Sequence, residues 1–307
     1  MVAAVTPSPR LAIVVPIVAM AVLTAGCADV DRSVESKSIR RATESIAELD
    51  DEVDGCTADD LSGGDDEFVF TSAFPVVGGT LGPACLGGDD PIVLGAWEIL
   101  ETITPPDQLG DLALFGGFDA DGGEATDTLA FVNVLDANGA SFQMSVNTVE
   151  SEADADELAL TMAHEFSHVF TTTPDQLDRT DEAIEACHTY YNGAGCYLPD
   201  SLMIAWISEF WDDEVLAALV PGVDDPDGAE ERCALDDGYF GSYAPSSPEE
   251  DFAEAFSAFV FGLEPETGGQ AARLGWMALQ PGLSEFRERA DDAGLTPLDN
   301  RFDLCGS

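Results

Sequence analysis

Apolar residues along the chain fall first into short strand-like runs and later into longer helix-like ones. Phe68–Phe74, Thr128–Leu135 and Ser141–Thr148 are rich in the β-branched and aromatic side chains that suit a pleated surface. The last two runs are joined by Asp136-Ala137-Asn138-Gly139, and Asn-Gly supplies the backbone freedom a tight hairpin needs. Gly78–Gly88 is a glycine-rich loop. Pro91–Thr104 reads as a helix, with Pro91 in its first turn and Pro105-Pro106 after its end. Ser151 opens a second, longer helix: Ser151-Glu152-Ala153-Asp154 resembles a capping box, acidic residues crowd the first turn, and Pro174 stops the helix after about Thr172. Asp181–Tyr191, Ser201–Val220, Pro248–Phe261, Ala271–Ala278 and Leu283–Asp292 read as further helices. Strands first and helices afterwards predict an α+β fold. No internal repeat is visible.

The start of the chain has a different pattern. Arg10 precedes an apolar run from Leu11 to Leu23, too short for a comfortable membrane span and typical of a signal peptide. The run ends in Leu23-Thr24-Ala25-Gly26-Cys27, which resembles a bacterial lipobox with Thr24 where leucine is commonest. This predicts a signal peptide over residues 1–26 and lipidation of Cys27, with the chain anchored on the outer face of the cytoplasmic membrane. Residues 27–66 are polar and acidic and read as a flexible tether, and residues 67–307 as the folded domain.

Charge narrows the partners. With 60 acidic against 11 basic residues the formal net charge is −49, so nucleic acid is excluded as a partner because its phosphates would be repelled. Arg10, Arg32, Lys37, Arg40 and Arg41 lie near the N-terminus, where they would face anionic headgroups. Setting Cys27 aside, six of the seven cysteines remain, an even count that suggests disulfides in an exported chain. Cys187–Cys196 is the first choice, since the sequence between them reads as a tight loop; Cys56–Cys85 and Cys233–Cys305 would follow. No CxxC pair is present, which disfavours a thiolate metal site.

The candidate chemistry lies in His164-Glu165-Phe166-Ser167-His168. Residues four apart share a helix face, so both imidazoles can reach one metal ion, and Glu165 can take a proton from water beside it. The simpler reading is a helix that happens to carry two histidines. Against it, two of the chain's three histidines fall here, the motif lies within a capped helix, and a hairpin precedes it, as in zinc-dependent peptidases. Catalytic zinc needs a third protein ligand. The extended HExxHxxGxxH signature is absent, since its further positions are Thr171 and Pro174. His188 adjoins Cys187 and reads as a loop histidine. Glu250 and Glu254 share one face of the Pro248–Phe261 helix, with Phe252, Phe256 and Phe259 on a separate apolar stripe. Ser247-Pro248-Glu249-Glu250 is also a capping box, in which Glu250 would fold back onto Ser247 and not reach a metal. Glu182 is a rival ligand, closer to His168 in sequence.

Taken together, HEFSH, Tyr243 and the Glu250-Asp251-Phe252-Ala253-Glu254 helix resemble the gluzincin metallopeptidases, particularly the catalytic domain of the anthrax-lethal-factor type, and bacterial zinc-binding metallopeptidases with an EDxAE helix. The resemblance covers two helices and one tyrosine. It implies a zincin-like domain, with a small β-sheet and hairpin followed by a mostly helical half, and one Zn²⁺ held by His164, His168 and Glu250. It also implies Glu165 as general base, Tyr243 as oxyanion donor and Glu254 orienting a ligand. The implied activity is hydrolysis of peptide or protein substrates, which would pair with the Ser141–Thr148 strand. A catalytically silent zinc-binding or structural surface lipoprotein is the alternative.

Overall fold

The computed structural model describes residues 61, 68–120, 128–149, 154–180, 187–298 and 302. By internal contacts the chain divides into Met1–Arg41 and Ala42–Ser307, and every described residue belongs to the second unit. The predicted signal peptide, almost all of the tether, Cys27, Cys56, Cys305, Ser151 and Glu182 lie outside the described residues.

The mixed α+β fold is built on a five-stranded sheet in the order β2-β1-β3-β5-β4. The strands are β1 (Val69–Val77), β2 (Thr80–Leu81), β3 (Leu112–Asp119), β4 (Ala130–Val134) and β5 (Phe142–Asn147). β1 runs antiparallel to β3, β3 parallel to β5, and β5 antiparallel to β4. The β4–β5 hairpin is closed as expected: Gly139 takes φ +72°, and Asp136 accepts the Asn138 and Ala140 amides at 2.8 and 3.0 Å. β5 departs from expectation. It is the interior strand between β3 and β4 and is buried along its whole length, so it has no free edge for a substrate. That edge belongs to β4. The polar residues of β5 are buried too, and Gln143 donates to Ser145 Oγ at 3.1 Å.

Helix α1 (Pro91–Ile103) begins at the Asp90 cap, whose carboxylate accepts the Ile92 amide at 2.9 Å, and packs across β3. At Gly117 a Cβ would lie 2.6 Å from Val93 Cγ2 and 2.7 Å from Thr148 Cγ2, so only glycine lets the helix come this close. Helix α2 (Ala155–Thr171) starts at Asp154, not Ser151; the Asp154 carboxylate accepts the Asp156 amide at 2.9 Å. Its apolar face, with Met162, Ala163, Phe166 and Val169 fully buried, enters the core. The helical half continues with α3 (Leu202–Phe210), α4 (Asp213–Leu216), α5 (Pro226–Leu235), α6 (Pro248–Val260), α7 (Gly268–Met277) and α8 (Leu283–Ala293). The single helix expected over Ser201–Val220 is broken at Trp211, which turns extended and donates Nε1–H to Asp251 at 3.0 Å. Of the helix expected over Asp181–Tyr191, the described part, Cys187–Tyr191, is not helical and forms part of a loop. That loop is closed by the Cys187–Cys196 disulfide, with Cα atoms 5.5 Å apart. A two-stranded ribbon, β6 (Leu177–Asp178) and β7 (Cys196–Tyr197), ties the loop to the end of α2. Cys85 and Cys233 are also disulfide-bonded, their partners lying outside the described residues.

Candidate metal centre

The centre is where α2 faces the first turn of α6. Ser257 Oγ donates to the Leu160 carbonyl at 3.0 Å, and Phe166, Phe170, Phe252, Phe256 and Phe286 interlock edge-on or tilted around that junction. The apolar faces meet inward, which leaves the polar faces of the two helices opposite one another at the cleft.

On that face His164 and His168 sit one turn apart, with ring centroids 5.0 Å apart. Glu250 Oε2 lies 2.8 Å from His164 Nε2, and its Oε1 3.6 Å from His168 Nε2. Ligand atoms of these three residues fall within 4.8 Å of one another, the one such group of three among the described residues. Ser247 Oγ does accept the Glu250 amide, at 3.3 Å, so the serine half of the capping box forms. The glutamate half is used differently, with the carboxylate turned toward the imidazoles. Oε2 is buried, and no well-directed hydrogen bond satisfies it despite its closeness to His164. A buried acceptor facing two imidazole nitrogens suits a cation, and an N,N,O donor set is one that zinc accepts.

Electrostatics fit the same picture. Burial opposes ionisation of Glu250, but the His168 charge and the contacts with both imidazoles outweigh it and hold the carboxyl well below the usual range. Burial likewise opposes charge on His168, yet Glu250 lifts its pKa to about 9. Glu165 is pushed upward by burial, against the pull of both histidines and with a smaller push from Glu250. A carboxylate so placed is a stronger base than an ordinary one.

α6 is held in register by its next residue. Asp251, buried, accepts Trp206 Nε1–H at 3.2 Å, Trp211 Nε1–H at 3.0 Å and Arg273 Nε–H at 2.9 Å. Arg273 also pairs with Asp236 at 2.9 Å and lies over Tyr239 and Phe210, 4.7 and 5.0 Å from their centroids. With Asp251 fixed on one side of the helix, Glu250 is directed to the other.

Tyr243, just before α6, stacks on His164 with centroids 6.4 Å apart and donates its O–H to Asp224 Oδ2 at 2.8 Å. Partial desolvation of the ring in the cleft, then Glu250 and Asp224, push the phenol pKa up, so it stays a donor. Glu254 is buried, and its carboxyl is raised well above normal by burial and then by Glu250 and Asp251. The nearby Gly241 and Ala244 amides pull the other way without offsetting this, and Glu254 Oε2 is buried with no hydrogen-bond partner among the described residues. A Cβ at Gly241 would lie 2.6 Å from Glu254 Oε2. His188 is exposed on the disulfide loop.

Two further carboxylates, Glu249 and Asp224, line the cleft and were not singled out from the sequence. Glu249 is pushed up to about 7 by burial and by Glu250, against its own backbone amide, His168 and the Tyr197 hydroxyl. Both lie among many other acidic residues, and nothing local in the sequence marks them. The cleft has a volume of about 890 Å³, and β4 residues Ala130–Val132 line it together with Tyr190, Asn192 and Val223.

No family model matches the chain, and no curated protein matches it. A solved structure described as a "putative zinc-binding metallo-peptidase" from Bacteroides caccae is similar over 65% of this chain and 64% of its own length, with 14% sequence identity and a TM-score of 0.26. This chain thus spans less than two thirds of that structure. Likeness at this level leaves the chemistry to be read from the chain's own residues. They define an α+β protein whose His164, His168 and Glu250 can hold a metal ion beside a half-buried glutamate, Glu165.

Proposed function

We propose that the chain is an exported, zinc-dependent endopeptidase. The observation that carries this reading is the convergence of His164, His168 and Glu250 next to the half-buried Glu165, in a cleft walled by a sheet edge. His164, His168 and Glu250 would hold the zinc, which when bound supplies a Lewis acid and lowers the pKa of water to about 7. Glu165 takes the proton of the attacking water as its oxygen bonds to the peptide carbonyl carbon. Glu165 then returns that proton to the amine nitrogen as the C–N bond breaks. Tyr243 donates to the carbonyl oxygen as it gains charge. The free edge of β4 pairs with an extended substrate. The Leu11–Leu23 run and Cys27 support export and a lipid anchor.

The test is incubation of the zinc-loaded full chain with a mixed peptide library, read by mass spectrometry. Wild type should cleave peptides, and Glu165→Gln should bind zinc and cleave none. Zinc binding without cleavage by wild type would favour a silent metal-binding protein instead.

A further inference from the structure

Tyr243 has one proton to donate, and in this structure Asp224 receives it, at 2.8 Å. The fold builds this contact. The residue after Asp224 is Asp225, which caps α5 by accepting the Gly228 amide at 3.0 Å. Arg232 donates to the Asp225 carboxylate at 3.0 Å and to its carbonyl at 3.0 Å, and its Nε donates to the Pro245 carbonyl. One guanidinium thus ties the residue following Asp224 to the segment following Tyr243. On the other side Gly222, at φ +71°, packs against Gly193, where a Cβ would lie 2.6 Å from Gly222 Cα. Both backbones are held, so the phenol and the carboxylate meet without any loop having to close. Tyr243 is 45% exposed, and the bond to Asp224 lies at the open face of the cleft.

Building on the peptidase reading above, we propose that Asp224 is a positioning residue that parks the Tyr243 phenol, and that release of this bond gates use of the hydroxyl at the reacting carbonyl. A phenol donates one hydrogen bond, so donation to a developing oxyanion requires donation to Asp224 to stop. Both bonds have a charged acceptor, and the exchange sets one charge-assisted bond against another. Because Arg232 fixes the neighbouring backbone, release is a side-chain rotation of Asp224 or Tyr243. Asp224 therefore lowers the rate of the wild-type enzyme while keeping the ring stacked on His164 between turnovers.

Two measurements on the zinc-loaded full chain test this. In steady-state peptide hydrolysis, Asp224→Ala should raise kcat about 3- to 10-fold, the scale of one net hydrogen bond, with KM nearly unchanged. Asp224→Asn, which keeps an acceptor oxygen, should fall between. Asp224→Ala in a Tyr243→Phe background should change kcat by less than about 2-fold, since a restraint on the phenol needs the phenol. The second measurement needs no turnover: with 3-fluorotyrosine at position 243, the ¹⁹F resonance should move on Asp224→Ala. A fall in kcat for Asp224→Ala, or an equal gain without the Tyr243 hydroxyl, overturns the gating. An unmoved ¹⁹F resonance overturns the contact itself. If the resonance moves but no variant cleaves any peptide, the peptidase reading fails, and the gating fails with it.

Discussion

Glu250 can either cap its own helix or face the histidines, and its rotamer decides what the site can do. It faces them, 2.8 Å from His164 Nε2, and two predictions follow at this scale. Glu250→Ala and His168→Ala should each lower zinc affinity by more than about 100-fold, measured by competition with a chromophoric chelator; removing a ligand costs more than the 10–100-fold typical of its hydrogen-bonded supports. The second concerns protons. Metal binding requires neutral imidazole, and Glu250 keeps His168 protonated up to about 9. Zinc should therefore displace close to one proton at pH 7, with apparent affinity rising until about pH 9. Calorimetry in buffers of differing protonation enthalpy counts that proton, and no release at pH 7 would contradict the pairing. The same pair stabilises the metal-free chain. The raised His168 contributes fully below its ordinary value near 6.5 and loses that contribution as pH rises through about 9. The depressed Glu250 contributes above the ordinary carboxylate range and loses its contribution only in strong acid.

At the scale of elements, the site depends on how α6 is rotated, and Asp251 sets that rotation. Asp251→Ala would leave Arg273 buried with Asp236 as its remaining carboxylate partner, at a cost of about 3–5 kcal/mol in urea unfolding; a loss below about 1 kcal/mol would show the network to be incidental. What the sequence revealed divides along the same line. The HExxH helix and the β4–β5 turn were legible because their signals are local: a four-residue spacing and an Asn-Gly step. β3 was passed over because Gly116 and Gly117 weaken a strand pattern, and their reasons, the close approach of β1 at Gly116 and of α1 at Gly117, are tertiary facts. The break at Trp211 and the direction of Glu250 were equally illegible, since each depends on a partner tens of residues away. Glu182, the rival ligand, lies outside the described residues.

For the molecule as a whole, charge and covalent bracing set the conditions under which the site persists. A net charge of −49 repels itself, so the thermal midpoint should rise as salt is added from low ionic strength; a fall would show that ion pairs outweigh repulsion. The Cys187–Cys196 bridge closes the loop that brings Tyr190 and Asn192 to the cleft, and replacing both cysteines by serine should cost about 2–3 kcal/mol. These features support the centre without creating it. The most direct test of the account is the zinc content of the purified full chain after dialysis against metal-free buffer, by inductively coupled plasma mass spectrometry, for wild type and His164→Ala. The account predicts about one zinc per wild-type chain and almost none in His164→Ala. Wild type without zinc after exposure to it, or equal zinc in both, would contradict it.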